Sequence, residues 1–183
     1  MRKAEWYVIW VQSGREQQTC KLIERVCADE SEHTCEEPKV QECFTPRIAT
    51  QRKYKGEWQH VERLLLPGYV IAVANDPVGL AALLRSIPEF TQLLSMGETI
   101  VPLREEEQAW LEEVTHKGDR VVPMSMAVRD GDTLVVTEGP LKGREGMITR
   151  LNRHKSLAFL EFQIGRKRVT TRVGLGILKS PDE

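Results

Sequence analysis

The chain has 183 residues, which is enough for one medium domain or two small ones because domains centre near ~100 to 150 residues. Hydrophobic residues make up 40% of the chain and charged residues 29%, a composition too apolar for an intrinsically disordered protein. No apolar stretch approaches the ~18 residues that a membrane span needs, and the N-terminus lacks an export signal, so we expect a soluble, cytoplasmic protein with no membrane partner.

The formal net charge of −1 conceals an uneven distribution along the chain. Residues 1–118 carry 14 basic and 19 acidic side chains, a formal charge of −5, whereas residues 119–183 carry 12 basic and 8 acidic side chains, a formal charge of +4. A basic C-terminal part on an acidic body predicts that a polyanion binds one end of the protein.

The first elements alternate between strand and helix patterns. Trp6–Val11 is β-branched or aromatic throughout and predicts a buried strand. Glu16–Ala28 has apolar or thiol residues at helical spacing and predicts an amphipathic helix, followed by a solvated acidic loop at Asp29–Lys39. The four cysteines match no zinc-binding pair spacing, so we expect packed, structural thiols and no metal.

The middle of the chain predicts a hairpin and further helices. Val40–Ile48 and Gln51–Arg63 alternate loosely around a turn at Gly56. The next predicted elements are a strand at Gly68–Ala74, a helix at Val78–Arg85 capped by Asn75 or Asp76, a strand at Leu93–Met96 and a helix at Leu103–Val114. This order predicts an α+β fold in which helices flank an antiparallel sheet.

The C-terminal part has a different period. Thr115–Met126 lacks periodicity and predicts a linker. Five short strands are predicted beyond it, at Asp132–Thr137, Glu145–Leu151, Leu157–Gln163, Lys167–Val173 and Gly176–Lys179. So many short strands favour a small all-β, five-stranded barrel.

Two sequence segments carry a resemblance to a known family. Gly131–Ile148 looks like a KOW motif, in which glycines at 139, 143 and 146 suit positive φ angles or close backbone approach. Trp6-Tyr7-Val8-Ile9 and Leu65-Leu66-Pro67-Gly68-Tyr69-Val70 resemble the NusG N-terminal domain. Nearly the whole chain therefore resembles the NusG family of transcription elongation factors, which implies an N-terminal NGN domain at residues 1–114, a linker at 115–127 and a KOW domain at 128–183.

Two departures from the family pattern favour a specialised paralogue. Leu65 and Leu66 stand where the family commonly has two phenylalanines, and the C-terminal part is more basic than that of a general NusG. The chain is in these respects similar to the LoaP paralogues, which are related to RfaH.

The resemblance implies an apolar pocket that binds the clamp helices of bacterial RNA polymerase. Carried over by position, the pocket residues are Trp10, Tyr69, Ile71 and Met96, with Leu111 a weaker match. Large apolar side chains at a sheet edge are good interface anchors. The same residues also suit a hydrophobic core, and the sequence leaves that alternative open.

The basic residues of the C-terminal part predict an RNA-binding surface, with a solvated face as the alternative. The candidates are Lys142, Arg144, Arg150, Arg153, His154, Lys155, Arg166, Lys167, Arg168 and Arg172. Few aromatic residues other than Phe159 and Phe162 are present there to stack bases, so we expect a structured nascent RNA, such as a leader hairpin, to bind better than an unstructured strand.

The predicted function is processive antitermination by a monomer that binds polymerase and RNA. No catalytic constellation is visible, since Cys43, His60 and His33 belong to no motif that groups them, and we expect neither an enzyme nor a cofactor. Two alternatives remain: a KOW-type ribosome-associated RNA-binding protein, and a general NusG whose KOW domain recruits a ribosomal protein or a termination factor.

Overall fold

The computed structural model of the protein describes residues 4–34, 40–87 and 100–178. The chain forms two compact units. The first unit comprises Met1–Thr45, Leu66–Gln108 and Ile164–Lys167, and the second comprises Pro46–Leu65, Ala109–Gln163 and Arg168–Glu183. Each unit therefore combines segments that are distant in the sequence, and the domain boundaries implied by the family resemblance stay a prediction.

Twelve strands and three α-helices lie in the described residues, and we number them in chain order. They are β1 (Glu5–Trp10), α1 (Glu16–Thr34), β2 (Val40–Phe44), β3 (Arg47–Tyr54), β4 (Glu57–Leu64), β5 (Tyr69–Ala74), α2 (Pro77–Ser86), β6 (Val101–Pro102), α3 (Glu105–Val114), β7 (Val121–Val122), β8 (Ser125–Asp130), β9 (Thr133–Glu138), β10 (Arg150–Asn152), β11 (Leu157–Ile164) and β12 (Lys167–Leu178).

The first unit contains a four-stranded sheet in the order β2-β5-β1-β6. All its strand pairs are antiparallel. Side chains from β1, β5, α1 and α2 share one core, to which Ile9, Val70, Ile23 and Leu83 contribute. The helices thus cover an antiparallel sheet, as the sequence predicted, because each presents one apolar stripe to it.

Helix α1 is longer than predicted. It extends through Thr34, so the first half of the segment expected to be an acidic loop is helical. Glutamate is a good helix former, and no glycine or proline interrupts the chain before Pro38, so charge alone did not end the helix. Helix α2 begins as predicted, with the Asp76 carboxylate accepting hydrogen bonds from the N–H groups of Val78 and Gly79, both at 3.0 Å.

The predicted hairpin exists, but the segment predicted as one strand before it belongs to two strands. Val40–Ile48 is divided at Thr45 and Pro46 into β2, which pairs with β5, and β3, which pairs with β4 and belongs to the other unit. Proline lacks the N–H that a continuous ladder needs. The hairpin turn lies at Lys55 and Gly56, both with positive φ, as the two-residue turn of a β-hairpin requires.

The second unit contains two sheets, β4-β3-β7 and β10-β11-β12-β8-β9. The five-stranded C-terminal sheet confirms an all-β C-terminal fold, although individual strands differ from the prediction. Residues 125–130, assigned in part to a linker, form β8, which pairs in parallel with β12. Lys167–Leu178 is one strand, because Gly174 and Gly176 are accommodated within it, whereas Glu145–Met147 is a 3₁₀ turn that leaves only Arg150–Asn152 as β10.

The glycines of the KOW-like segment have different roles. Gly139 has a φ of 92°, and a Cβ atom there would lie 2.6 Å from the carbonyl oxygen of Met124. Gly143 has a φ of 71°. The expectation for Gly146 was wrong, since its φ is not positive and nothing described lies within 4 Å of a Cβ placed on it. Only the first two positions therefore need glycine for backbone reasons.

Two further predictions are limited by the range of residues that the structure describes. The strand predicted at Leu93–Met96 lies outside the described residues. Among the residues that are described, no helix combines the length and apolar character needed to cross a bilayer.

Candidate functional site

An exposed aromatic pair lies at one end of the sheet in the first unit. Trp10 at the end of β1 and Tyr69 at the start of β5 are direct cross-strand partners. Trp10 is 42% exposed and Tyr69 is half-buried. Trp and Tyr combine a large apolar face with a polar group, and they are enriched among residues that anchor interfaces. The pair is therefore a candidate contact surface for a protein partner.

The Glu16 carboxylate holds the corner that positions this pair. Glu16 is 3% exposed, and its two carboxylate oxygens accept hydrogen bonds from the N–H groups of Gly14 and Gly68, each at 2.8 Å. The N–H of Val11 donates to the Gly68 carbonyl at 2.9 Å. These bonds connect the start of β5 to the residues that follow β1. They also satisfy both oxygens of the Glu16 carboxylate, as a buried carboxylate requires.

The other predicted pocket residues lie elsewhere. Ile71 is 0% exposed and Leu111 is 1% exposed, so their side chains are core residues of their units in this structure. Met96 lies outside the described residues. Of the predicted polymerase-binding residues, the structure thus brings Trp10 and Tyr69 together at a surface. The Leu65 and Leu66 side chains, where the family commonly has phenylalanines, are also buried.

A basic groove lies in the second unit. It has a volume of about 610 Å³, within the ~300–1,000 Å³ range of ligand sites in proteins. The residues that line it are Thr50, Gln51, Arg52, Lys53, Trp58, Arg63, Arg153, His154, Lys155, Leu157 and Arg172. We call this feature the hairpin groove, because the β3–β4 hairpin supplies more than half of its lining.

Four of the predicted RNA-binding residues meet in the hairpin groove, namely Arg153, His154, Lys155 and Arg172. The first three form a 3₁₀ turn that begins at Asn152, whose side-chain oxygen accepts a hydrogen bond from the Lys155 N–H at 3.1 Å. Ser156 ends the turn with a φ of 51°, in the left-handed region. A local cap and a sharp reversal therefore present three consecutive cationic or polar side chains to solvent.

The remaining predicted RNA-binding residues do not line the groove in the described structure. Lys142, Arg150, Arg166, Lys167 and Arg168 are exposed. Arg144 forms an ion pair with Glu113, the Arg150 guanidinium lies 4.1 Å from the centroid of the Phe159 ring, and Arg168 lies 4.0 Å from a Glu161 carboxylate oxygen. The charges of Arg144 and Arg168 are thus partly neutralised by carboxylates, although exposed ion pairs are weak.

Sequence reasoning missed the half of the groove that the hairpin supplies. Trp58 is 50% exposed and lies directly across the hairpin from Lys53. Arg52 and Arg63 add two more exposed cations. Alternation of basic and aromatic residues around Tyr54 was visible in the sequence and is typical of nucleic-acid-binding surfaces, but that signal was used only to place a turn.

The candidate nucleophile does not have the properties of one. Cys43 is buried, and its hydrogen bond with the Cys20 thiol, followed by burial, raises the pKa of the Cys43 thiol well above its ordinary value. A thiol that stays protonated is a poor nucleophile. His60 is exposed and belongs to the other unit. No cluster of three or more potential metal ligands occurs within residues 4–34, 40–87 and 100–178.

Comparison with known proteins gives consistent matches. The family model described as transcription termination factor NusG matches residues 4–112, more than half of the chain. The transcription termination/antitermination protein NusG of Campylobacter jejuni is 23% identical to this chain over 165 residues, which cover 90% of each protein. A solved structure described as domain interaction in Thermotoga maritima NusG aligns with a TM-score of 0.51 at 19% identity and covers 94% of each chain. That structural similarity extends over both the N-terminal α/β and the C-terminal all-β parts of the fold.

Proposed function

We propose a specific role from the premise that this chain belongs to the NusG family, whose members are non-enzymatic transcription factors that bind RNA polymerase and act in elongation and termination. In our proposal the protein is an antitermination factor. It binds polymerase through the Trp10–Tyr69 pair and a structured nascent RNA through its basic C-terminal part. The observation that carries the proposal is the family match over residues 4–112, which includes both residues of the aromatic pair.

The aromatic pair supports the polymerase contact. Trp10 and Tyr69 share an exposed end of the sheet, and Glu16 fixes the backbone beside them. A rigid aromatic anchor loses little conformational entropy when it is buried against a partner, which favours tight binding. The clamp helices of polymerase are the proposed partner. Ile71 and Leu111 are buried in their own units, so this proposal does not include them in the contact surface.

The cations of the C-terminal part support the RNA contact. Arg153, His154, Lys155 and Arg172 converge, and Lys142, Arg150, Arg166, Lys167 and Arg168 are exposed. Neutralising phosphates with such side chains releases condensed counterions, which is a major source of affinity for nucleic acids. A factor that holds both the polymerase and its transcript remains attached during elongation, because each contact raises the effective concentration for the other.

The excess of basic residues also supports assignment to the specialised paralogues similar to LoaP. A general NusG whose KOW domain recruits a ribosomal protein or a termination factor would not need this concentration of cations. A ribosome-associated KOW protein would bind RNA without polymerase. A test of RNA binding therefore distinguishes the proposal from a general NusG. A test of polymerase binding distinguishes it from a ribosome-associated KOW protein.

Salt dependence of RNA binding tests the RNA half of the proposal. Neutral substitutions at Arg153, Lys155 and Arg166 are expected to weaken binding of a hairpin RNA to the full chain. They should also reduce the slope of log K against log salt by about 1 for each lost phosphate contact. Titrations monitored by fluorescence anisotropy at several salt concentrations measure both quantities. A preference for the hairpin over an unstructured strand of equal length is expected in the parent.

The matched control neutralises three other exposed cations, Arg104, Lys117 and Arg129, and removes the same total charge. If the two triple variants lose affinity equally, the effect is one of net charge, and the basic residues form only a solvated face. If both bind as tightly as the parent and no hairpin preference exists, the RNA contact is wrong and a protein partner takes its place.

A further inference from the structure

We propose that the hairpin groove binds unpaired RNA bases, such as those of a hairpin loop, with Trp58 as the stacking platform. This inference rests on the proposed RNA-binding function. It extends the RNA site from the C-terminal cations to the β3–β4 hairpin, and it names the part of the RNA that the groove takes.

The charge of the groove identifies an anionic ligand. Six of the residues that line it are formally positive, namely Arg52, Lys53, Arg63, Arg153, Lys155 and Arg172. Arg52 and Lys53 are consecutive in β3, so their side chains point to opposite faces of the hairpin. No acidic side chain lines the groove among the residues that the structure describes. Cationic residues around one concave surface raise the local concentration of an anion, so phosphates are favoured there.

Trp58 selects a base in preference to a bare phosphate or a small anion. Trp58 is 50% exposed and lines the groove together with the cationic residues, although a tryptophan is usually largely buried. Lys53, its cross-strand partner, lies on the same face of the hairpin. An aromatic face flanked by cations is the arrangement that binds single-stranded nucleic acids, because the base stacks while the cations contact the backbone.

Two close contacts hold the hairpin beside β12, which supplies Arg172 to the lining of the groove. The Thr171 hydroxyl donates a hydrogen bond to the Leu65 carbonyl, immediately after β4. A Cβ atom on Gly174 would lie 2.5 Å from the Ala49 carbonyl oxygen in β3, so only glycine permits this approach. Arg172 lies between these two contact points in the sequence, so its backbone is held beside the hairpin.

A paired RNA helix does not fit this combination. Bases within a helix are stacked on each other and turn only their edges outward, so they cannot lie against the Trp58 indole. The bases of a loop are unstacked, and their faces are available to aromatic side chains. The groove therefore takes loop bases, while the exposed cations outside it contact the phosphates of the stem.

Substitution of Trp58 in the full chain tests this inference. The probes are an RNA hairpin with an unpaired loop, a blunt RNA duplex of equal length and a DNA hairpin of the same sequence. We expect Trp58→Ala to weaken binding of the RNA hairpin about tenfold, as loss of one stacking aromatic does, and to leave duplex binding and the salt slope unchanged. Trp58→Phe should restore most of the affinity, and Val78→Ala, which truncates an exposed apolar residue of the other unit, should have no effect on RNA binding.

The outcomes separate this inference from the proposed function. If the parent binds the RNA hairpin with a steep salt dependence and Trp58→Ala binds it equally well, the groove assignment is overturned and the RNA-binding function stands. Equal losses for hairpin and duplex would overturn the assignment to unpaired bases. Equal binding of the DNA hairpin by the parent would overturn the assignment to RNA. If the parent binds none of the probes, the inference and the RNA half of the proposed function are both wrong.

Discussion

Replacement of Trp110 by alanine is expected to lower the free energy of unfolding by about 3–5 kcal/mol, the usual cost of deleting a large buried aromatic side chain. Trp110 in α3 is 0% exposed. Its indole N–H donates to the Pro140 carbonyl at 3.1 Å, and its ring centroid lies 5.8 Å from that of Phe162 in β11. The substitution therefore removes a packed volume, an aromatic contact and the partner of a buried carbonyl at once.

Urea unfolding followed by circular dichroism measures this effect. Trp110→Phe keeps most of the volume but loses the N–H group, so its cost should be smaller and close to the ~1–3 kcal/mol expected for leaving the Pro140 carbonyl unsatisfied. Trp58→Ala is the matched control in the same unit, because its indole is half exposed, and its cost should stay within about 0.5 kcal/mol. Equal costs for Trp110→Ala and Trp58→Ala would show that α3 is not packed against the C-terminal sheet in solution.

Loss of the exposed aromatic pair is expected to weaken polymerase binding strongly while leaving the protein folded. Trp10→Ala and Tyr69→Ala should each cost about 2 kcal/mol of binding free energy, the effect of truncating a central interface anchor, which is roughly a 25-fold loss of affinity. Trp10 is 42% exposed, so its removal leaves no large cavity, and the Glu16 hydrogen bonds to Gly14 and Gly68 remain.

Binding of purified core RNA polymerase to the immobilised full chain measures this affinity. Val78→Ala is the control, because Val78 is a 75% exposed apolar residue of the same unit that lies outside the aromatic pair. Circular dichroism checks that each variant is folded. Unchanged affinity in both folded aromatic variants would exclude this surface as the polymerase site. Absence of polymerase binding by the parent would favour the ribosome-associated alternative.

Local patterns were sufficient for most of the fold. The run of β-branched and aromatic residues at Trp6–Val11 and the apolar stripe of α1 identified their elements, because each pattern has a fixed period that survives tertiary packing. The predicted strand boundaries are wrong where pairing with a distant strand determines the structure. Pro46 divides two strands that belong to different sheets, and β8 forms because β12 is beside it. Pro46 is a local signal for a break, but the sheet that each strand joins depends on distant segments of the chain.

The site residues show the same division between local and distant information. Arg153, His154 and Lys155 were identified from composition and do lie together on a turn. Trp58 and Arg63 were not, because they are about a hundred residues away from that turn in sequence and reach it only through packing of β3 against β12. Burial of Ile71 and Leu111 also depends on neighbours from other segments, so their side-chain exposure could not be read from the chain alone.

Single-round transcription across an intrinsic terminator tests the central claim most directly. The template carries the leader of the protein's own operon upstream of the terminator, and a second template has that leader scrambled. We expect the protein to increase readthrough on the first template and much less on the second. Trp10→Ala and the Arg153, Lys155 and Arg166 triple variant should each reduce this gain. Readthrough that stays at its basal level on the native template when the parent protein is added would contradict antitermination.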